Sequence, residues 1–128
     1  MKIDVSIGEV VDKVTILEIK KEKFKNAEKL ANVVKEYELL KKEIEAIGIT
    51  TDSDEFKRLK EVNLKLWQIE DDIRLEESKH NFGEKFIKLA RSVYFENDKR
   101  AAIKKEINLK YGSDLIEEKG YFNYQARK

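Results

Sequence analysis

The chain has 128 residues with no cysteine and no proline, and its 27 basic residues nearly cancel 26 acidic ones. Disulfides, thiolate chemistry and cysteine-ligated metal sites are therefore excluded, and a formal charge of +1 argues against a protein that coats nucleic acid by neutralising phosphates. Charged residues at 41%, against roughly 25% in ordinary globular domains, favour long solvated helices in a single domain over 1–128. The opening "MKIDVSIGEV" lacks the apolar core of a signal peptide, and no stretch approaches the roughly 20 apolar residues of a membrane span. A cytoplasmic protein with no membrane partner is expected.

In chain order, Ser6-Ile7-Gly8-Glu9 fits a capping box, in which serine and glutamate satisfy each other's free backbone donors. Ile7, Val10, Val11, Val14, Leu17 and Phe24 then recur at helical spacing, predicting a first helix over about 7–24. "KIDVSI" alternates like a strand but has no second strand to pair with. Asn26 caps a second helix, about 26–47, which carries Leu30, Val34, Tyr37, Leu40 and Ile44 and stops at Gly48. Thr51 or Ser53 opens a third, about 53–79, with Phe56, Leu59, Val62, Leu66, Trp67, Ile69 and Ile73 on one stripe. "HNFGE" breaks the chain, Asn81 and Glu84 form a cap-like pair, and a fourth helix runs over about 83–111 to Gly112. The tail, 113–128, holds one short helical turn and aromatic residues that dock on the bundle or on a partner. The fold class is all-α: two long helical hairpins forming a four-helix bundle. The longer pair reaches roughly 40 Å at 1.5 Å per residue. So elongated a pair leaves apolar stripes incompletely covered, which predicts self-association as a homodimer.

The chemistry lies in polar residues that interrupt these stripes. Stepping about 100° per residue, Asn97, Arg100 and Lys104 fall among Val93, Ala101 and Ile107 of the fourth helix. On the third, Asn63, Glu70 and Glu77 flank Leu59 and Leu66, and Arg74 lies one turn beyond Glu70; on the first, Glu18 sits beside Val11 and Val14. Unpaired buried charges cost several kcal/mol, so Glu18 and Glu70 are expected to pair with Arg100 and Lys104. Two readings follow. One is a satisfied polar network that fixes helix register. The other is a ligand site in the bundle interior formed by Glu18, Glu70, Arg74, Asn97, Arg100 and Lys104, where Arg100 grips a phosphate or carboxylate.

Other motifs carry less. His80 stands at a helix end, Trp67 falls on the core stripe, and in "EDDIRLEE" Arg74 interleaves with the acids, so a solvated face outweighs a metal site. There is no glycine-rich phosphate loop and no serine–histidine arrangement of plausible spacing.

The blocks "VSIGEVVDKVTILEIKKEK", "KLANVVKEYELL", "LWQIEDDIR" and "FIKLARSVYFENDKRAAIKKEIN" resemble a bacterial and phage domain-of-unknown-function family whose members begin V-S-x-G-E-x-x-D-K-x-T-I-L-E-I-K. The resemblance covers about Val5 to Gly120 and implies a coherent family domain without implying a reaction. Helical nucleotide pyrophosphohydrolases use paired E-x-x-E and E-x-x-D motifs for magnesium. Here Glu9 and Asp12 have one such spacing, with no second pair, and are expected to face outward. Helical chorismate mutases line a bundle with arginine, lysine and glutamate, which is an architectural analogy alone.

The sequence thus points to a helical binding or assembly module with no assigned catalytic residue, cofactor or metal. The rival is a small enzyme or sensor for an anionic metabolite. A nucleic-acid reading would rest on Lys20, Lys21, Lys23 and Lys25, and neighbouring glutamates argue against it.

Overall fold

The computed structural model describes residues 1–125, which form four helices and no strand: α1 (Ile7–Lys23), α2 (Ala27–Glu45), α3 (Asp54–Ser78) and α4 (Glu84–Lys110). They pack as a four-helix bundle, as the hydrophobic periodicity predicts. The helix starts show which local signals operate. Ser6 Oγ accepts the Glu9 N–H at 3.1 Å and Asn26 Oδ1 accepts the Lys29 N–H at 3.0 Å. Glu9 does not complete the capping box, because its carboxylate is drawn to Lys104 at 2.6 Å. Ser53 stands at the N-cap of α3 as expected, but neither it nor Asn81 makes a side-chain capping bond. Ser53 turns its hydroxyl to the Thr50 N–H, and α4 opens at Gly83 with no side-chain cap. Asn81 instead closes the end of α3, its N–H donating to the Glu76 carbonyl at 3.0 Å. Gly48 does end the second helical segment in the left-handed region, with φ of 90°.

Helix α1 packs against all three others, whereas α2 approaches α1 alone. This central position explains two buried stripes on α1. Val11, Val14 and Leu17 join Val33, Tyr37 and Ile44 of α2, Phe56 and Leu59 of α3, and Ile107 of α4 in the core. Gly8, Asp12, Thr15 and Ile19 form the second stripe, spaced 4, 3 and 4 as one helix face requires. Only the outward side remains wet, where Lys13 bridges to Glu36 of α2 at 2.9 Å.

The longer hairpin outruns this core. Helix α3 has 25 residues and α4 has 27, against 17 in α1. Past Asn63 on α3 and before Ile103 on α4, no hydrophobic side chain is buried. The far halves of these two helices form an arm, stabilised by their mutual packing and by surface pairs.

The tail departs from expectation. Among its described residues there is no helix, only a turn at Tyr124 and Gln125. It runs back along α4 as an extended strap: Ser113 Oγ accepts the Ile7 N–H at 3.0 Å, Glu117 reaches Lys104 and Glu118 reaches Lys105. Tyr124 packs edge-on against Tyr94 and Phe95, with ring centroids 5.1 and 5.6 Å away. The expected docking of tail aromatics holds for Tyr124, while Tyr121 and Phe122 stay exposed. The final residues of the predicted tail, Ala126–Lys128, lie outside the described residues.

At the base of the bundle Glu55 is buried and accepts hydrogen bonds from the Lys110 ammonium and, at 3.1 Å, from the Tyr111 hydroxyl. The Lys110 bond holds the Glu55 carboxyl below the ordinary value of 4.5, against the opposing effect of burial. A carboxyl depressed in the folded state adds stability above its unfolded pKa, and that stability is lost as pH falls through the folded value. Urea midpoints are therefore expected to fall on acidification from pH about 5 downward. Glu55→Gln should lower the midpoint at neutral pH and flatten part of that fall; an unchanged pH slope in the variant would refute the assignment.

Candidate functional site

The polar centre of the bundle is assembled by the second stripe of α1. Gly8 lets the start of α1 lie directly on α4: a Cβ at this position would sit 2.5 Å from the Lys104 carbonyl oxygen. The same approach lets the Gly8 N–H donate to Asn108 Oδ1 at 2.6 Å. One turn on, Asp12, 1% exposed, meets the forked donors of Arg100: Nε donates to Oδ1 at 2.9 Å and Nη2 donates to Oδ2. Asn63 of α3 donates its Nδ2 to Asp12 Oδ1 and to Thr15 Oγ1, both at 2.8 Å. The Thr15 hydroxyl in turn donates to the Asp12 carbonyl at 2.7 Å. Lys104 Nζ donates to Glu9 and lies 3.8 Å from Asp12 Oδ2 and 3.7 Å from Glu117 of the strap.

Three helices and the tail are thereby tied through one buried carboxylate, whose acceptor positions are filled by charged and amide donors. The Asp12 hydrogen bond holds the Arg100 guanidinium above its already high ordinary pKa, against burial. Arg100 and Lys104 face Glu9, Asp12 and Glu117, and Lys119 balances Glu117 from 3.1 Å. The cluster is close to neutral and internally satisfied.

The expected meeting of Glu18 and Glu70 with Arg100 and Lys104 does not occur. Glu18 points to another side of α1, accepting from the Tyr37 hydroxyl at 2.8 Å and from Lys60 Nζ at 2.6 Å. Burial and the Glu18 carboxylate push the Tyr37 hydroxyl up. Glu70 is exposed and bridges to Arg74 on its own helix at 2.9 Å. Asn97, expected inside the stripe, is exposed. The acids that engage Arg100 and Lys104 are Asp12 and Glu9, the pair expected to face outward. Assigning α1 a single apolar stripe causes this error, since a central helix buries two sides. The signal was present as Gly8, Asp12, Thr15 and Ile19, a helical repeat of small and polar residues ending in one isoleucine.

Of the concave regions that flank the network, two are lined by both Asn97 and Arg100. A groove of about 530 Å³ between α1 and the arm brings together Glu70, Arg74, Asn97 and Arg100 with Ile16, Leu66, Trp67 and Val93. Trp67 is set against Phe24, ring centroids 6.3 Å apart, with Lys23 Nζ 5.8 Å from its ring. A smaller cleft of about 290 Å³ under the strap is lined by Asn97, Arg100, Lys104, Glu117, Lys119 and Tyr121. Glu18 lies in neither. Among the described residues no acidic or histidine cluster has metal-binding geometry, and no helix is long and apolar enough to cross a membrane.

Residues 1–126 match a family model described as a family of unknown function. No curated protein and no solved structure matches the chain.

Proposed function

We propose that this chain, which belongs to the DUF6165 family, works as a helical assembly module that self-associates through its α3–α4 arm. The observation that carries this reading is an incompletely covered apolar face. Leu66, Trp67, Ile69, Ile73, Phe86, Leu89 and Val93 recur at helical spacing along the arm, yet none is buried. Leu75, Phe82, Ile87 and Tyr94 are exposed by 41–54%. A two-helix layer has no second layer against which to bury such a face, and a second arm supplies one. Apolar surface left in contact with water over several turns marks association sites in soluble proteins. The Asp12–Arg100 network fits the same reading, since it fixes the arm's base on α1. Light scattering at micromolar concentrations is expected to return twice the 15.1 kDa chain mass. A monomer at every concentration would remove the proposal.

A second reading, capture of a small phosphate or carboxylate, draws on the cleft that gathers Asn97, Arg100, Lys104 and Lys119. It is the weaker one, because three carboxylates already hold these cations. Arg100→Met separates the two: a structural network loses stability, whereas a ligand site keeps or gains it.

A further inference from the structure

We infer that the second copy docks antiparallel, across a two-fold axis close to Asp72, so that Glu70 of each chain meets the partner's Arg74. This rests on the self-association proposed above and specifies its geometry. Glu70 and Arg74 lie one turn apart, both line the groove beside Trp67, and both are largely exposed, 54% and 76% at the side chain. Their one bond is the pair with each other, a surface contact within one helix worth only a few tenths of a kcal/mol.

A two-fold axis crossing α3 between these residues reverses the order of acid and base. Each interface then carries two symmetric bridges, as the self-complementarity of such contacts demands. A parallel alignment in the same register would set glutamate on glutamate and arginine on arginine, which is repulsive. The charge order along this turn therefore selects one orientation.

The rest of the arm agrees. Cross-helix pairs such as Arg58 with Glu106 and Glu55 with Lys110 fix the stagger of α3 on α4 and put Ser92 about level with Asp72. The same axis brings Ala90 of one chain close to the partner's Val93, small side chains that allow near approach. Phe86, seven residues before Val93 and so on its side of the helix, arrives near the partner's Asn97 at the mouth of the groove. An aromatic ring from each tip thus enters the apolar groove of the other chain. Because the arrangement closes on itself, it yields a dimer and not a filament.

Charge reversal tests this directly. Glu70→Arg and Arg74→Glu, each alone, should weaken the dimer by about tenfold or more in sedimentation equilibrium, since each creates like-charge contacts twice per interface. Helical circular dichroism should be unchanged because both sites are exposed. An equimolar mixture of the two variants restores both bridges in the heterodimer, and Glu70→Arg/Arg74→Glu in one chain restores them in the homodimer, so both should return to wild-type affinity. A dimeric wild type whose single variants keep its affinity, or whose mixture fails to recover, overturns this register and leaves self-association standing. A monomeric wild type overturns both.

Discussion

Arg100→Met is expected to destabilise the folded chain by about 3 kcal/mol, the low end of the range for breaking a buried ion pair. The lower end applies because the Arg100 side chain is 29% exposed while its partner Asp12 is 1% exposed. Removing the guanidinium strips Asp12 of its forked donor and leaves a carboxylate in the core with Asn63 and a more distant Lys104. Asp12→Leu fails for the converse reason, stranding the arginine. The double variant removes both charges, and apolar replacement of a buried pair is often close to neutral. A double-mutant cycle by urea unfolding should therefore show a coupling of about 2–3 kcal/mol. Additive losses would mean that the two residues are independent. An Arg100→Met protein as stable as wild type would transfer the residue from architecture to ligand capture.

Gly8→Ala should cost about 2–3 kcal/mol, as overpacking at a tight contact does. The sign is what makes the test informative. Alanine in place of glycine ordinarily stabilises a helix by roughly 0.5–1 kcal/mol. Here the added methyl would lie 2.5 Å from a backbone carbonyl and 3.0 Å from Asn108 Oδ1. Neither a flexible side chain nor a rotamer change relieves a clash with main chain, so α1 must lift from α4 and carry Asp12 with it. Thermal unfolding should show a lower Tm for Gly8→Ala and a further drop for Gly8→Val. A raised Tm would mean that α1 and α4 do not approach this closely.

Much of the architecture is legible in the residues. Helix-period stripes located all four helices, Ser6, Asn26 and Gly48 marked their ends, and the excess length of the second hairpin anticipated apolar stripes only partly covered. Interior polar groups were harder for a geometric reason. Arg100 and Lys104 stood out because they interrupt an apolar stripe, but Asp12 interrupts none: it belongs to a stripe that is itself small and polar. Only the knowledge that α1 is central, touching three neighbours, turns that stripe inward. Neither the Ser53 nor the Asn81 side chain makes a capping bond: the Ser53 hydroxyl accepts the Thr50 N–H instead, and α4 opens two residues after Asn81, at Gly83. Helical turn propensity in the tail yields to the pairing of Glu117, Glu118 and Tyr124 with α4.

The hydrogen bonds that seat α1 on α4 join residues 88 to 100 positions apart. During synthesis none of them can form until the last helix has left the ribosome. Until then α1 has only α2 and α3 to rest against, and the side of Asp12 that Arg100 later covers stays in water. The order of manufacture thus keeps Asp12 hydrated until its cationic partner exists, and the desolvation of that carboxylate coincides with the moment it can be compensated.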